Sequence, residues 1–170
     1  MAEIQKYDVV ENHSGFQLRR YAPHTLVTKP MAGSMAAAGS SAFGYLASYI
    51  SGQNERGQQI AMTAPVLQQK TDSGYEVSFV MPAELSDPPR PRAGLELKAV
   101  DSKLMAAIKF SGMASDDLFA RKAQQLIASL KAAGYQPISE PLYARYNGPW
   151  TPPMLRRNEV LVEVASLTTP

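Results

Sequence analysis

The sequence predicts an α+β fold in which duplicated β-β-α-β-β halves form a distorted, mostly antiparallel β-barrel or curved sheet carrying two helices. Three observations predict it: two stretches with apolar residues spaced by three and four, short strand-like runs between turn signals, and the same element order in both halves of the chain. A chain of 170 residues with 45% hydrophobic and 19% charged positions can bury one sizeable core. A single domain over 1–170 is therefore expected, with a pseudo-repeat at about 7–82 and 95–165.

Residues 7–10 and 16–21 (FQLRRY) have strand character, and 24–29 (HTLVTK) follows the turn signal Ala22-Pro23, so the chain is expected to open on a hairpin. From 34 to 51, Met35, Ala38, Ala42, Leu46 and Tyr49 recur at helical spacing, and Gly52 stands where a helix would stop. The runs 60–69 (IAMTAPVLQQ) and 75–81 (YEVSFVM) are expected to pair through the turn residues 71–74 (TDSG). Pro65 cannot donate to a ladder, which places it at an edge or a bulge.

After a proline-rich connection at 84–94, the runs 95–100 (LELKAV) and 104–110 (LMAAIKF) are expected to form a second hairpin. Ser115 with Asp116 and Asp117 supplies an N-cap and an acidic first turn for a second helix. Its stripe is Phe119, Ala123, Leu126 and Leu130, and Gly134 ends it. Two further strands follow at 141–146 (PLYARY) and 158–164 (NEVLVEV). One interval separates Gly33 from Gly112, Leu18 from Leu97 and Arg19 from Lys98, as a duplication would require.

Composition narrows the function classes. The net charge is +2, and the basic pairs Arg90/Arg92 and Arg156/Arg157 are too short to track a phosphate backbone, so no nucleic-acid partner is expected. The absence of cysteine excludes disulfides, thiolate metal sites, cysteine nucleophiles and covalent haem attachment. The N-terminal residues lack a signal-peptide pattern, and no run approaches the roughly 20 apolar residues of a membrane span. A cytoplasmic protein with no membrane partner is expected.

No dinucleotide, P-loop, zinc-protease or nucleophile-elbow motif is present, and no catalytic residue is assigned. His13 and His24 have no second histidine at metal-binding spacing and read first as turn or surface residues. No metal ligand is assigned, although His24, at the start of a strand, is the better axial-ligand candidate for a haem iron. Methionines such as Met62 and Met154 lie close to Pro65 and Trp150, where thioethers can mould either to a core or to a flat aromatic ligand. Trp150, the one tryptophan, stands in a loop bounded by Pro149, Pro152 and Pro153, so its ring either seals the core or borders a ligand. Arg156 and Arg157 follow and offer guanidinium forks to ligand carboxylates.

The segments 60–66 (IAMTAPV), with 49–57 (YISGQNERG) before it, and 146–160 (YNGPWTPPMLRRNEV) resemble those of the SOUL haem-binding proteins. The resemblance implies a duplicated α+β fold, similar to GyrI-type ligand-binding domains, that binds haem or another tetrapyrrole non-covalently in an apolar cleft. The cleft is implied to lie between the first helix and the proline-containing loop near the C-terminus. On this chain that gives Phe43, Leu46, Ala47, Ile50, Met62, Tyr146, Trp150, Met154, Arg156 and Arg157 as contacts. Where some members carry a proposed axial histidine this chain has Arg20, and Ser40 and Ser48 fall where others have basic residues. Three readings follow: a tetrapyrrole binder for buffering, transport or sensing; an effector-binding module for other flat or cationic amphiphiles, with Glu76 and Glu159 as candidate acidic groups; and a tetrapyrrole-modifying or hydrolytic enzyme using Tyr146.

Overall fold

The structure, a computed structural model, describes residues 2–165; residue 1 and residues 166–170 of the expected domain lie outside the described residues. A short strand, β1 (Glu3–Ile4), precedes β2 (Tyr7–His13), β3 (Phe16–Tyr21) and β4 (His24–Met31). Helix α1 (Met35–Ile50) leads to β5 (Thr63–Ala64), β6 (Val66–Thr71) and β7 (Gly74–Val80). The second half contains β8 (Glu96–Val100), β9 (Lys103–Phe110), α2 (Asp116–Ala132), β10 (Leu142–Arg145), a single 3-10 turn (Pro153–Leu155) and β11 (Asn158–Glu163).

Nine strands form one antiparallel sheet in the order β2-β3-β9-β11-β10-β6-β7-β4-β8, and β1 pairs in parallel with β5 beside it. The ends of the order, β2 and β8, do not pair, so the sheet is curved and open, not closed into a barrel. β2 pairs with β3, β6 with β7 and β10 with β11, but the opening hairpin expected across Ala22-Pro23 does not form: β3 lies between β2 and β9, and β4 between β7 and β8. The expected hairpin of β8 with β9 does not form: β8 pairs with β4, while β9 lies between β3 and β11. Curvature is the reason. Tyr21, His24, Val100 and Lys103 line one cavity, so the two flanks of the sheet face each other there, and the two-residue links after β3 and β8 cross between flanks instead of reversing within a ladder. The expected strand at 60–69 is interrupted at Pro65, which follows β5 through a cis peptide and precedes β6.

Both helices are capped as their sequences require. Ser34 Oγ accepts from Ala37 N at 3.2 Å, and Ser115 Oγ accepts from Leu118 N at 3.1 Å. Asp116 reaches further: its carboxylate accepts from Met35 N at 2.9 Å, so the first residue of α2 also satisfies the first turn of α1.

Strand alternation divides the apolar residues between two faces. On one face Val27, Val77 and Phe79 pack under Ala38, Ala42, Leu46 and Tyr49 of α1. On the same side Leu18, Ala106, Ile108, Val160 and Val162 pack under Phe119, Ala123, Leu126 and Leu130 of α2. The opposite, concave face carries Tyr21, Leu26, Leu67, Val80, Met105, Ala107, Ala144 and Leu161. Each fully buried Leu or Phe contributes about 1.5–3 kcal/mol, so the stripe of α2 alone is enough to hold that helix to the sheet.

Candidate functional site

The polar interior of the concave face is built around Glu159, which points inward from β11 and has no exposed surface. Arg19, on β3, meets it with a two-pronged pair: Nη1 donates to Oε1 at 2.7 Å and Nη2 to Oε2 at 2.8 Å. Arg157 donates to Oε2 through Nε (3.2 Å) and Nη2 (3.0 Å), and the Tyr146 hydroxyl donates to Oε1 at 2.8 Å. Arg19 also lies 4.1 Å from the Tyr7 ring centre and Arg157 4.0 Å from that of Tyr146. Burial pushes the Glu159 carboxyl up, but the hydrogen bonds and charge of Arg19, with Tyr146 and Arg157, outweigh it and hold the group below the usual carboxylate range. Burial, then the charge of Glu159, raises the Tyr146 phenol far above its ordinary value, so it stays a hydrogen-bond donor. Glu159 is therefore a neutralised structural anion and presents no free charge to a ligand.

Beside this network a cavity of about 330 Å³ opens on the concave face. Leu26, Leu67, Met105, Leu142 and Leu161 form its apolar part, and Glu76, Lys98, Asp101, Lys103 and Glu163 stand around it. Four of these charges pair with one another: Lys98 with Glu76 at 3.2 Å and Lys103 with Glu163 at 3.3 Å. His24 also lines the cavity; Nδ1 lies 2.8 Å from the Ala22 carbonyl, which can only accept, so Nδ1 is the donor in that contact. None of the contact residues expected from the sequence lines this cavity.

The helix-bearing face holds half of the expected contacts. Leu46 is fully buried against the sheet, Ile50 and Met62 are half-buried around the same cluster, and Ala47 is half-buried on α1. Phe43 is 46% exposed and meets Phe79 edge-on with ring centres 5.4 Å apart. Ser40 and Ser48 are exposed on the same helix, and Arg20 is exposed on β3.

The loop 146–157 displays Trp150, Met154 and Leu155 at 84%, 79% and 70% exposure. Internal bonds shape it: Arg156 Nε donates to the Thr151 carbonyl at 2.7 Å and Nη2 to that of Pro149 at 3.0 Å, and Gly112 N donates to the Pro153 carbonyl at 2.9 Å. A side chain at Gly148 would overlap the indole, so glycine is what lets the Trp150 ring lie against the backbone there. The structure thus separates the expected residues into three settings: α1 and Met62, the loop with Trp150 and Met154, and the concave network with Tyr146 and Arg157. His24 belongs to a fourth, the concave cavity.

One basic residue escaped the sequence reading. Arg145, at the end of β10, points to the helix side, opposite the inward-facing Ala144. Its Nη2 donates to Gln68 Oε1 at 2.7 Å, and Gln68 Nε2 donates to the Met35 carbonyl at 2.8 Å. Burial alone lowers its pKa. The alternation of PLYARY gives the side to which Arg145 points, but no local signal tells what it meets.

A family model described as SOUL heme-binding protein matches residues 2–163. Among solved structures, the chain is similar in fold to the C-terminal domain of EcmrR, with a TM-score of 0.67 at 11% identity over 94% of this chain and 98% of that one. It is also similar to EcmrR in a cryo-EM structure of an EcmrR–DNA complex, with a TM-score of 0.69 at 11% identity over 88% of this chain and 56% of that one. A hydrolase from Listeria innocua matches with a TM-score of 0.58 at 8% identity, over 87% of this chain and 91% of that one. No curated protein matches the chain.

Proposed function

The chain belongs to the SOUL haem-binding protein family, and from that premise we propose that it binds haem or a related tetrapyrrole non-covalently, without catalysis, for buffering, transport or sensing. The binding surface in this reading lies between α1 and the 146–157 loop. The observation that carries it is the display of Trp150, Met154 and Leu155 on a loop that its own hydrogen bonds shape, together with Phe43, which α1 leaves half-exposed. Indole, thioether and phenyl groups suit the faces of a flat macrocycle, and covering them is favourable at about 25 cal/mol per Å² before ordering costs. Arg156 and Arg157 act within the protein, as a loop tie and as a partner of Glu159, so their part in binding is indirect.

Haemin and metal-free protoporphyrin are to be titrated separately, following the porphyrin absorption and the fluorescence of Trp150. Saturable quenching by both supports an apolar site that does not depend on iron. No saturable change with either ligand sinks the reading.

A second reading places an effector, flat or cationic, in the concave cavity. It draws on the cavity of about 330 Å³ with Glu76, Asp101 and Glu163 around it, a volume at the lower end of the small-molecule range. Competition between a cationic dye and protoporphyrin separates the two readings, because ligands in different places do not displace one another.

The wider setting belongs to the same proposal: one cytoplasmic domain without a nucleic-acid or membrane partner, its halves at about 7–82 and 95–165 related by duplication. The strand order supports the duplication. Read outward from the β10–β6 pair, β11 matches β7, β9 matches β4 and β3 matches β8, each in the place its position in the repeat requires. Among the described residues no helix is long and apolar enough to cross a membrane.

A further inference from the structure

We infer that Arg145 is the cation that anchors the acid group of an apolar, carboxylate-bearing ligand bound between α1 and the 146–157 loop. The inference rests on the binding reading above and identifies the charge that reading lacks. Three arginines stand close in sequence here, and two of them each hold two groups of the protein. Arg156 holds the carbonyls of Thr151 and Pro149, and Arg157 holds Glu159 and the Tyr7 hydroxyl. Arg145 differs from Arg157 in having no acidic partner and from Arg156 in having a single partner: among the described residues its one hydrogen bond goes to the uncharged amide oxygen of Gln68.

The site around Arg145 is built, not incidental. Gln68 is 1% exposed and is fixed at both ends, by the Met35 carbonyl of α1 and by Arg145 itself. The helix makes room with Gly39, where a Cβ would stand 2.6 Å from Arg145 Nη2 and 2.7 Å from Gln68 Oε1. Phe43 lies one helical turn beyond Gly39 on the same face, and half-buried Val66 is the cross-strand neighbour of Arg145. An arginine with a neutral partner, oriented by a buried amide and flanked by apolar side chains, is prepared for an anion that arrives with its own apolar body. A carboxylate matches the planar fork, and it meets a cation that has no acidic partner among the described residues. Ser40 and Ser48 supply no charge on α1, so the anchor comes from the sheet beneath the helix instead.

The test uses protoporphyrin IX and its dimethyl ester, which share a ring and differ in the carboxylates, with the wild-type protein, Arg145→Gln and Arg145→Lys. Thermal unfolding of each variant establishes that it is folded. Arg145→Gln is expected to weaken the free acid about tenfold and leave the diester unchanged, and Arg145→Lys to keep part of the preference for the acid. Equal weakening of acid and diester would show a structural role and overturn the inference. So would an Arg145→Gln protein that binds the free acid as the wild type does, and in that case the tetrapyrrole reading would stand. Failure of the wild type to bind either compound sinks both.

Discussion

Replacing Glu159 by leucine should cost about 4 kcal/mol, and most of that cost should come from what the substitution leaves behind. Glu159 accepts two hydrogen bonds from Arg19, two from Arg157 and one from Tyr146. Arg157 retains access to water and can turn outward, but Arg19 is 1% exposed and cannot. The leucine variant therefore strands a buried guanidinium, a situation that typically costs about 3–5 kcal/mol. Replacing both partners with apolar groups of similar size removes the stranded charge, and such exchanges are often close to neutral. The double variant Arg19→Met/Glu159→Leu should thus recover at least about 2 kcal/mol of the loss. Urea unfolding of the wild type, both single variants and the double variant gives the coupling directly. A double variant as unstable as the sum of its parts, or a Glu159→Leu protein within about 1 kcal/mol of the wild type, would refute the claim that this pair is interdependent.

Three further outcomes follow from the same structure. Because the Glu159 pKa is lowered in the folded protein, its contribution is present above the ordinary glutamate range of about 4.3 and is lost as pH falls through the folded value. The unfolding free energy of the wild type should fall below about pH 4, and Glu159→Gln should flatten that fall in urea titrations; an unchanged acid limb would contradict this. In α1, Gly39→Ala should destabilise by about 1–3 kcal/mol through overlap with Arg145 and Gln68, partly offset by helix propensity. Gly44→Ala meets nothing within 4 Å and should stabilise by up to about 1 kcal/mol, so thermal melts of the two should move in opposite directions. Trp150→Ala should change the unfolding free energy by less than about 0.5 kcal/mol, since the ring is 84% exposed, while weakening porphyrin binding in absorption titrations.

The features legible in the sequence were those with local causes. Ser34, Ser115, Gly52 and Gly134 bound the helices because capping depends on the nearest few residues, and the stripe of Phe119, Ala123, Leu126 and Leu130 is the buried face of α2. Long-range pairings were not legible. The short link between β8 and β9 looks like a hairpin turn, and only the curvature of the whole sheet sends the two strands to different neighbours. Arg19 and Glu159 lie 140 positions apart, and neither neighbourhood announces the other. The exposed display of Trp150 and Met154 agrees with the apolar loop the sequence suggests, whereas the engagement of Arg156 and Arg157 and the neutral partner of Arg145 depend on tertiary contacts.

The most direct test of the binding account is to map the ligand by NMR on the methyl groups of methionine, alanine, leucine and isoleucine while protoporphyrin is added. Ring-current shifts centred on Met154, Leu155, Ala47 and Ile50 are predicted, with Leu26, Met105 and Leu161 unchanged. Shifts concentrated instead at Leu26, Met105 and Leu161 would place the ligand in the concave cavity and contradict the account.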